Sequence, residues 1–329
     1  MDNALIQIEG LTRRFSINAA KGLKKQHFTA VDDVSFDIRR GEVFGLVGES
    51  GCGKSTLASL VLRLLDATSG AVRYEGEDIM KMGQAHLRQL RRNMQIVFQD
   101  PYDSLDPRFS LRRILEEPLI VGHYGDAAAR QARIEALMQD VGLPVGLLKR
   151  YPHQLSGGQR QRLCIARALA LSPTFLVLDE AVAALDVSIQ SQILNLLLDL
   201  KDEFNLTYLF ISHNLAVVKF ISDRIGVMYF GKLVELADKE ELFRNVMHPY
   251  TYALLSAVPE PDPDSVRSRE ILRSGVPSLI NPPSGCAFHP RCRYATEECK
   301  SVSPQLRDVG GGHLCACHRA GVVGKEAAQ

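Results

Sequence analysis

The sequence predicts an α/β chain: a parallel sheet flanked by helices, with an antiparallel β edge, a helical insertion and a small cysteine-rich extension. Three observations predict it. Short apolar runs at Phe44 to Val47, Phe175 to Leu178 and Tyr208 to Ile211 each stop at a Gly-rich turn or a polar residue, and they alternate with helical patterns. Strand signals vanish between about residues 100 and 171. Five of the seven cysteines crowd into residues 286 to 317, where long apolar runs are missing.

The elements follow in chain order. Ala4 to Glu9 and Ala30 to Ile38 read as the antiparallel edge, joined by a basic loop, Ala19 to His27 (AAKGLKKQH). Phe44 to Val47 is a strand, a Gly-rich turn follows, and Lys54 to Leu65 has helical periodicity. Gln95 to Phe98 is a further strand. The insertion is helical at Ser110 to Glu117, Ala127 to Val141 and Gln159 to Leu171. PEPDPD at residues 259 to 264 reads as a linker, dividing a main domain, 1–258, from an extension, 259–329.

Bulk properties narrow the function. A chain of 329 residues with 46% hydrophobic content supports a large core and an appendage. A formal net charge of +1 gives no electrostatic reason for a nucleic-acid partner. No apolar run approaches the roughly 18 residues that cross a bilayer. The N-terminus carries no basic-then-apolar export pattern. A cytoplasmic location is expected, with any membrane role exerted through a partner.

Residues 48 to 55 read GESGCGKS, matching G-x-x-x-x-G-K-[ST] between a strand and a helix. Gly48, Gly51 and Gly53 let the backbone turn tightly, so that the N–H groups of Glu49, Ser50 and Cys52 and their neighbours can face phosphate oxygens. Lys54 adds a charge for the β- and γ-phosphates, Ser55 a hydroxyl for Mg²⁺, and Thr56 a hydroxyl for the α-phosphate. FLVLDE, Phe175 to Glu180, delivers two carboxylates to a strand end. Asp179 suits Mg²⁺ and Glu180 a general base on water, the charge and positioning that phosphoryl transfer requires. An acidic strand end alone is common; beside the Gly-rich turn it is specific.

LSGGQ at residues 155 to 159 resembles the signature of ABC ATPases, and with it the fold becomes, by resemblance, a RecA-like P-loop ATPase core. Ser156 is an N-cap type residue before a helix. In that family Ser156, Gly157, Gly158 and Gln159 would serve ATP held by the opposite subunit. The other family marks follow in order. Gln99 matches the glutamine that senses Mg²⁺ and links to the membrane subunit. AALD, residues 183 to 186, matches the loop facing the partner's active site. His213 matches the switch histidine on the γ-phosphate, and Phe15 the aromatic ring against adenine. The chain departs from the family at Ala181, where Pro is common, and at Ala183, where Ser is common. Neither is the catalytic acid, so activity is expected to survive, with communication across the dimer open to change.

VFQDPYDSLDPR (97 to 108), YPHQLSGGQRQR (151 to 162) and HPYTYALL (248 to 255) resemble the oligopeptide/dipeptide importer branch, and its second, F-type ATPase subunit. The resemblance implies ATP and Mg²⁺ as cofactors. It implies a second, non-identical ATPase subunit, two membrane permeases and an extracytoplasmic solute-binding protein as partners. The chain would then sit peripherally on the cytoplasmic face of the membrane. Nickel, opine and glutathione importers share this branch. A soluble ABC ATPase of translation or repair fits less well, because the chain has one cassette and no long coiled coil. A non-hydrolysing regulatory subunit would lack Glu180 or His213.

The tail cysteines are spaced Cys286-x5-Cys292-x6-Cys299-x15-Cys315-x-Cys317. A cytosolic cluster of this kind reads as a metal site before it reads as disulfides, and a metal staple would hold a tail with so little apolar content. Zinc, an iron–sulfur cluster and no metal are all open from the residues, with His289, His313 and His318 as alternative zinc ligands. By resemblance to the branch, Cys286, Cys292, Cys299 and Cys317 would hold a [4Fe–4S] cluster, with Cys315 extra. Cys52 and Cys164 read as small apolar fillers.

Overall fold

The computed structural model describes residues 3–17, 26–257, 278, 280 and 282–323. The predicted linker at 259 to 264 lies outside these residues, as does the basic loop apart from Gln26 and His27, which open a strand.

The strands are β1 (Ala4–Ile17), β2 (Gln26–Arg39), β3 (Val43–Val47), β4 (Ser69–Tyr74), β5 (Glu77–Asp78), β6 (Met94–Val97), β7 (Phe175–Asp179), β8 (Thr207–Ser212), β9 (Arg224–Tyr229), β10 (Lys232–Asp238), β11 (Arg307–Asp308) and β12 (Leu314–Cys315). The helices are α1 (Lys54–Val61), α2 (Gln84–Leu90), α3 (Pro101–Ser104), α4 (Leu111–Val121), α5 (Ala127–Asp140), α6 (Gly157–Leu169), α7 (Val187–Phe204), α8 (Leu215–Ile221), α9 (Lys239–Arg244), α10 (Pro249–Ser256) and α11 (Glu297–Ser301). They form two compact units, one of residues 1–5, 38–43 and 81–211, the other of residues 6–37, 44–80 and 212–329.

In the first unit β8, β7 and β6 lie side by side and parallel, with Val177 between Ile96 and Leu209. Every residue of β7 and β8 is buried, which explains why both read as unbroken apolar runs rather than alternating ones. The helical insertion is as expected: between Val97 and Phe175 the described residues hold only α3 to α6 and short 3-10 turns. Side-chain caps start its helices. Ser110 Oγ accepts from the Arg113 N–H at 3.4 Å, and Asp126 Oδ1 from the Ala129 N–H at 2.8 Å.

In the second unit the antiparallel edge is larger than predicted, with strand order β2-β1-β4-β5. SGAVRY of β4 lacks a strand-like apolar run, yet it pairs with β1, Ile6 opposite Tyr74. A second row runs β11-β12-β10-β9-β3, with β3 parallel to β9 and the others antiparallel. The predicted helix to Leu65 ends early, at Val61, because Arg63 takes a left-handed φ of 47° and the Leu64 N–H turns back to Ser59 O at 2.7 Å.

The tail corrects one expectation: it has fastenings that need no metal. β12 adds to the β10 edge, Cys315 opposite Glu235, and the Ala316 N–H donates to Val234 O at 2.8 Å. Buried Phe288 packs edge-on against Tyr229, centroids 5.3 Å apart, and against Tyr250 at 5.5 Å. His313 Nε2 meets Glu235 Oε1 at 2.8 Å, both side chains fully buried. A segment poor in apolar residues is stable here because the core supplies a strand edge and aromatic partners.

Candidate functional site

The cradle belongs to the second unit. β3 is wholly buried and ends at Val47, just before Gly48, and α1 begins at Lys54, so the turn between them is set by two rigid elements. Gly53 has φ 108°, and a Cβ there would stand 2.2 Å from the Ala30 carbonyl oxygen, so no other residue fits without moving backbone. The Lys54 side chain is buried. Its ammonium donates to Gly48 O at 2.8 Å and Glu49 O at 3.0 Å, and lies 3.9 Å from Cys52 Sγ. The cation is therefore stored over the loop backbone. Ser50 and Ser55 are exposed at the rim and Thr56 is half-buried. The Cys52 thiol is buried, which raises its pKa and keeps it protonated, as expected of a filler; Cys164 is likewise buried and pushed up to about 12.

In the same unit Phe15 stacks on Phe28 at 5.3 Å and 22°, with the Arg13 guanidinium 4.7 Å from the Phe15 centroid. Sequence reading had found Phe15 only. Phe28 lies past the basic loop, and the pairing of β2 with β1 brings it near. His213 is exposed just past β8; Asn214 caps α8 by accepting from the Ala216 N–H at 3.0 Å, which fixes the turn that carries the histidine.

The first unit holds the carboxylates. Asp179 is buried at the end of β7. Glu180 leaves the strand in a left-handed conformation, φ 47°, while its N–H still donates to Ile211 O at 3.0 Å. Gln99 Nε2 donates to Glu180 Oε2 at 3.3 Å, so two predicted site residues 81 positions apart share one hydrogen bond. Ala181 is buried and the Ala183 N–H closes a turn on Glu180 O at 3.0 Å, so the two departures flank a well-formed turn.

The serine–glycine turn is built as predicted at its first residue. Ser156 Oγ accepts from the Gln159 N–H at 3.3 Å, and Gln159 Oε1 accepts from the Ser156 N–H at 3.1 Å, a reciprocal capping box at the start of α6. A Cβ on Gly158 would lie 2.6 Å from Ile189 Cγ2 of α7. The helix begins at Gly157, two residues earlier than predicted, and ends at Leu169. Asp186 of the AALD loop caps α7, accepting from the Ile189 N–H at 3.0 Å, and these hydrogen bonds lower its pKa.

The donors fit Mg²⁺ carried in with a nucleotide. Asp179, Ser55 and Gln99 offer hard oxygens, and Mg²⁺ is ordinarily held by one or two carboxylates plus substrate phosphates rather than by a protein cage. No group of three or more His, Cys, Asp or Glu among the described residues is arranged to hold a metal ion. That also leaves the tail cysteines without metal-site geometry. Burial raises the thiol pKa of Cys286, of Cys292 to about 12 and of Cys317 to about 11, with smaller contributions from neighbouring tail thiols. Cys315 is set apart, fully buried in β12.

A buried strand leading into a phosphate loop, a second strand ending in two acids and a capped serine–glycine helix together define an ATP-binding cassette. Residues 31–183 match the ABC transporter family, and residues 234–299 match the oligopeptide/dipeptide transporter C-terminal region. A Brucella ovis protein named for peptide import and ATP binding is 48% identical over 97% of this chain and 98% of its own length. The oligopeptide transport ATP-binding protein AppF of Bacillus subtilis is 50% identical over 88% of this chain and 89% of its own. Among solved structures, cbiO1 of Clostridium perfringens, part of the cbiONQ transporter complex, has a TM-score of 0.63 at 27% identity, covering 74% of this chain and 91% of that one. The dimeric cassette MJ0796 with ADP and phosphate has the same score and identity, covering 71% and 98%. The chain belongs to the ABC transporter family, as an ATP-hydrolysing subunit of the oligopeptide/dipeptide importer branch.

Proposed function

We infer that this chain binds MgATP on the loop Gly48 to Thr56 and hydrolyses it with Glu180 to drive peptide import. The observation that carries the reading is the Glu180 carboxylate, delivered by a buried strand, set just past it in a left-handed backbone conformation and held by Gln99. A carboxylate so placed accepts a proton from the attacking water. Lys54 would leave the loop carbonyls for the phosphates, Ser55, Asp179 and Gln99 would each offer an oxygen to Mg²⁺, and His213 would contact the γ-phosphate. Phe15, with Phe28 behind it, offers the adenine a flat apolar face.

The capping box leaves Ser156 exposed at the N-terminus of a 13-residue helix, which favours an anion. We assign that anion as the γ-phosphate of ATP on a second ATPase subunit, the related but non-identical partner of an F-type chain. The AALD loop faces the same junction. A groove of about 300 Å³ in the first unit, lined by Gln95, Phe98, Val121, Cys164 and Arg167, suits a short helix of a membrane permease. Among the described residues no helix is long and apolar enough to cross a membrane. On this reading two permeases supply the path and this chain works from their cytoplasmic side. A solute-binding protein would deliver the peptide.

The iron–sulfur reading of Cys286, Cys292, Cys299 and Cys317 is independent of this cycle. The nearness of Cys286, Cys299 and Cys317 to the Cys292 thiol, whose pKa each helps raise, supports it; the missing metal-site geometry among the described residues opposes it. Anaerobic protein with iron, sulfide and a visible thiolate-to-iron band would establish it. Colourless, iron-free protein would retire it, and stoichiometric zinc would replace it.

Proteoliposomes holding the assembled transporter test the function. Oligopeptide should enter only with ATP and binding protein present. Accumulation of nickel or glutathione in place of peptide would reassign the solute.

A further inference from the structure

Arg291 of the extension reaches the phosphate loop. It lies on a short 3-10 turn, His289–Arg291, and grips the Glu49 carboxylate with two hydrogen bonds, Nη1 to Oε2 at 2.6 Å and Nη2 to Oε1 at 2.9 Å. The Arg291 side chain is 4% exposed and that of Glu49 24%, so the pair is largely withdrawn from water. Such bidentate, charge-assisted bonds are among the stronger and more directional contacts in proteins. Glu49 is the residue directly after Gly48, inside the cradle.

Every polar group of Glu49 is held. Its N–H donates to Tyr250 Oη at 2.8 Å. Its carbonyl accepts from Lys54 Nζ at 3.0 Å and from the Cys52 N–H at 3.3 Å. Two of these partners come from the loop itself; Tyr250 and Arg291 come from far along the chain. A carboxylate at this position has a cost. Unpaired, it would oppose the phosphates and compete for the Lys54 ammonium, which already rests on the Glu49 carbonyl. Arg291 also packs toward Tyr229, its guanidinium 6.0 Å from the ring centroid, which fixes the approach of the fork.

We propose that Arg291 is a positioning residue of the nucleotide site: it neutralises Glu49 and holds the phosphate loop in its binding shape, making the C-terminal extension part of the ATP site. This rests on the reading that the loop Gly48 to Thr56 binds the phosphates of ATP. Nothing in the extension then has to touch nucleotide. Its effect passes through one carboxylate and one segment of backbone.

The test uses the full chain and a ribose-labelled fluorescent ATP analogue with Mg²⁺, titrated against wild type, Arg291→Met, Glu49→Gln and the double variant. Removing one partner of a charged, mostly buried pair leaves the other uncompensated, so Arg291→Met is expected to weaken binding about tenfold. In hydrolysis assays its KM for ATP should rise by more than its kcat falls. Glu49→Gln in the same chain removes the stranded charge and should return affinity to within about threefold of wild type. Lost tail packing alone would show no such return. Wild-type affinity in Arg291→Met, or a double variant as weak as the single, overturns the proposal. Should Arg291→Met fail to melt cooperatively, Arg291→Lys decides. It keeps a charge beside Glu49 and loses the two-pronged grip, so affinity should fall about threefold, and wild-type affinity in a folded Arg291→Lys chain overturns the proposal. A wild-type chain that does not bind the analogue overturns the loop's role instead.

Discussion

Glu180 occupies a backbone conformation that residues with side chains rarely adopt, at φ 47°, just past a fully buried strand. Such strain persists only where the surroundings impose it, here the N–H bond to Ile211 and the turn closed by Ala183. Glu180→Gln keeps the shape and removes the base. Hydrolysis by the assembled ATPase pair should fall by about 10²- to 10⁴-fold while ATP stays bound. Undiminished turnover would take Glu180 out of the role assigned to it. Gly53→Ala probes the cradle: its Cβ meets the Ala30 carbonyl at 2.2 Å, so loop and edge strand cannot both keep their places. Nucleotide binding should be lost while the chain stays folded, read by fluorescent-ATP titration beside a thermal melt. At this scale the sequence was legible wherever chemistry is local. GESGCGKS, LSGGQ and the DE pair each declare their roles within a few residues. Arg291 gave no such sign, since its partner lies 242 positions away and neither residue is unusual alone.

Between elements, legibility depended on pattern. β3, β7 and β8 were plain because burial on both faces makes them continuous apolar runs. β9 and β10 were not recognised as a hairpin. Their two-residue turn is Phe230–Gly231, both with positive φ, where Asn-Gly is the usual signal. The tail's attachment was hidden for a related reason: β12 is two residues long and gains its stability from the β10 edge. Its buried His313–Glu235 pair makes a pH prediction. Burial pulls the His313 pKa down, but the hydrogen bond and charge of Glu235, helped by Glu241, outweigh this and raise it. The folded chain therefore keeps this proton to higher pH than the unfolded chain. The stabilisation is full below the ordinary imidazole value of about 6.5 and is lost as pH rises through the raised one. His248 acts oppositely, since burial lowers it to about 4, so its neutral form costs stability only as pH falls below the ordinary imidazole value. Melting temperature should thus drop as pH rises above the ordinary imidazole value, and drop less in His313→Gln. Equal slopes in the two chains would remove the pair from the account. The insertion carries its own test. Val121 is 69% exposed beside the groove, so Val121→Glu should spare hydrolysis by the ATPase pair and abolish its coupling to transport in proteoliposomes. Coupling at the wild-type level would move the permease contact elsewhere.

For the whole molecule, the proposed cycle has each cassette hold nucleotide with one turn and complete the site with a turn of its neighbour, so that neither completes the reaction alone. The capping box at Ser156 explains how the second turn stays formed without a ligand: the helix start is satisfied internally, and its hydroxyl and dipole remain available at the surface. Ala181 lies in the turn that Ala183, the first residue of the AALD loop, closes on Glu180, which is where a change in signalling between subunits would act without altering the base. The most direct measurement is a cryo-EM structure of the assembled transporter carrying Glu180→Gln with ATP and Mg²⁺ bound. The Ser156 hydroxyl and the glycine N–H groups after it should lie within hydrogen-bond distance of the γ-phosphate of ATP seated on the partner subunit. A closed, ATP-loaded assembly in which that turn faces solvent, or faces its own subunit's nucleotide, would contradict the account.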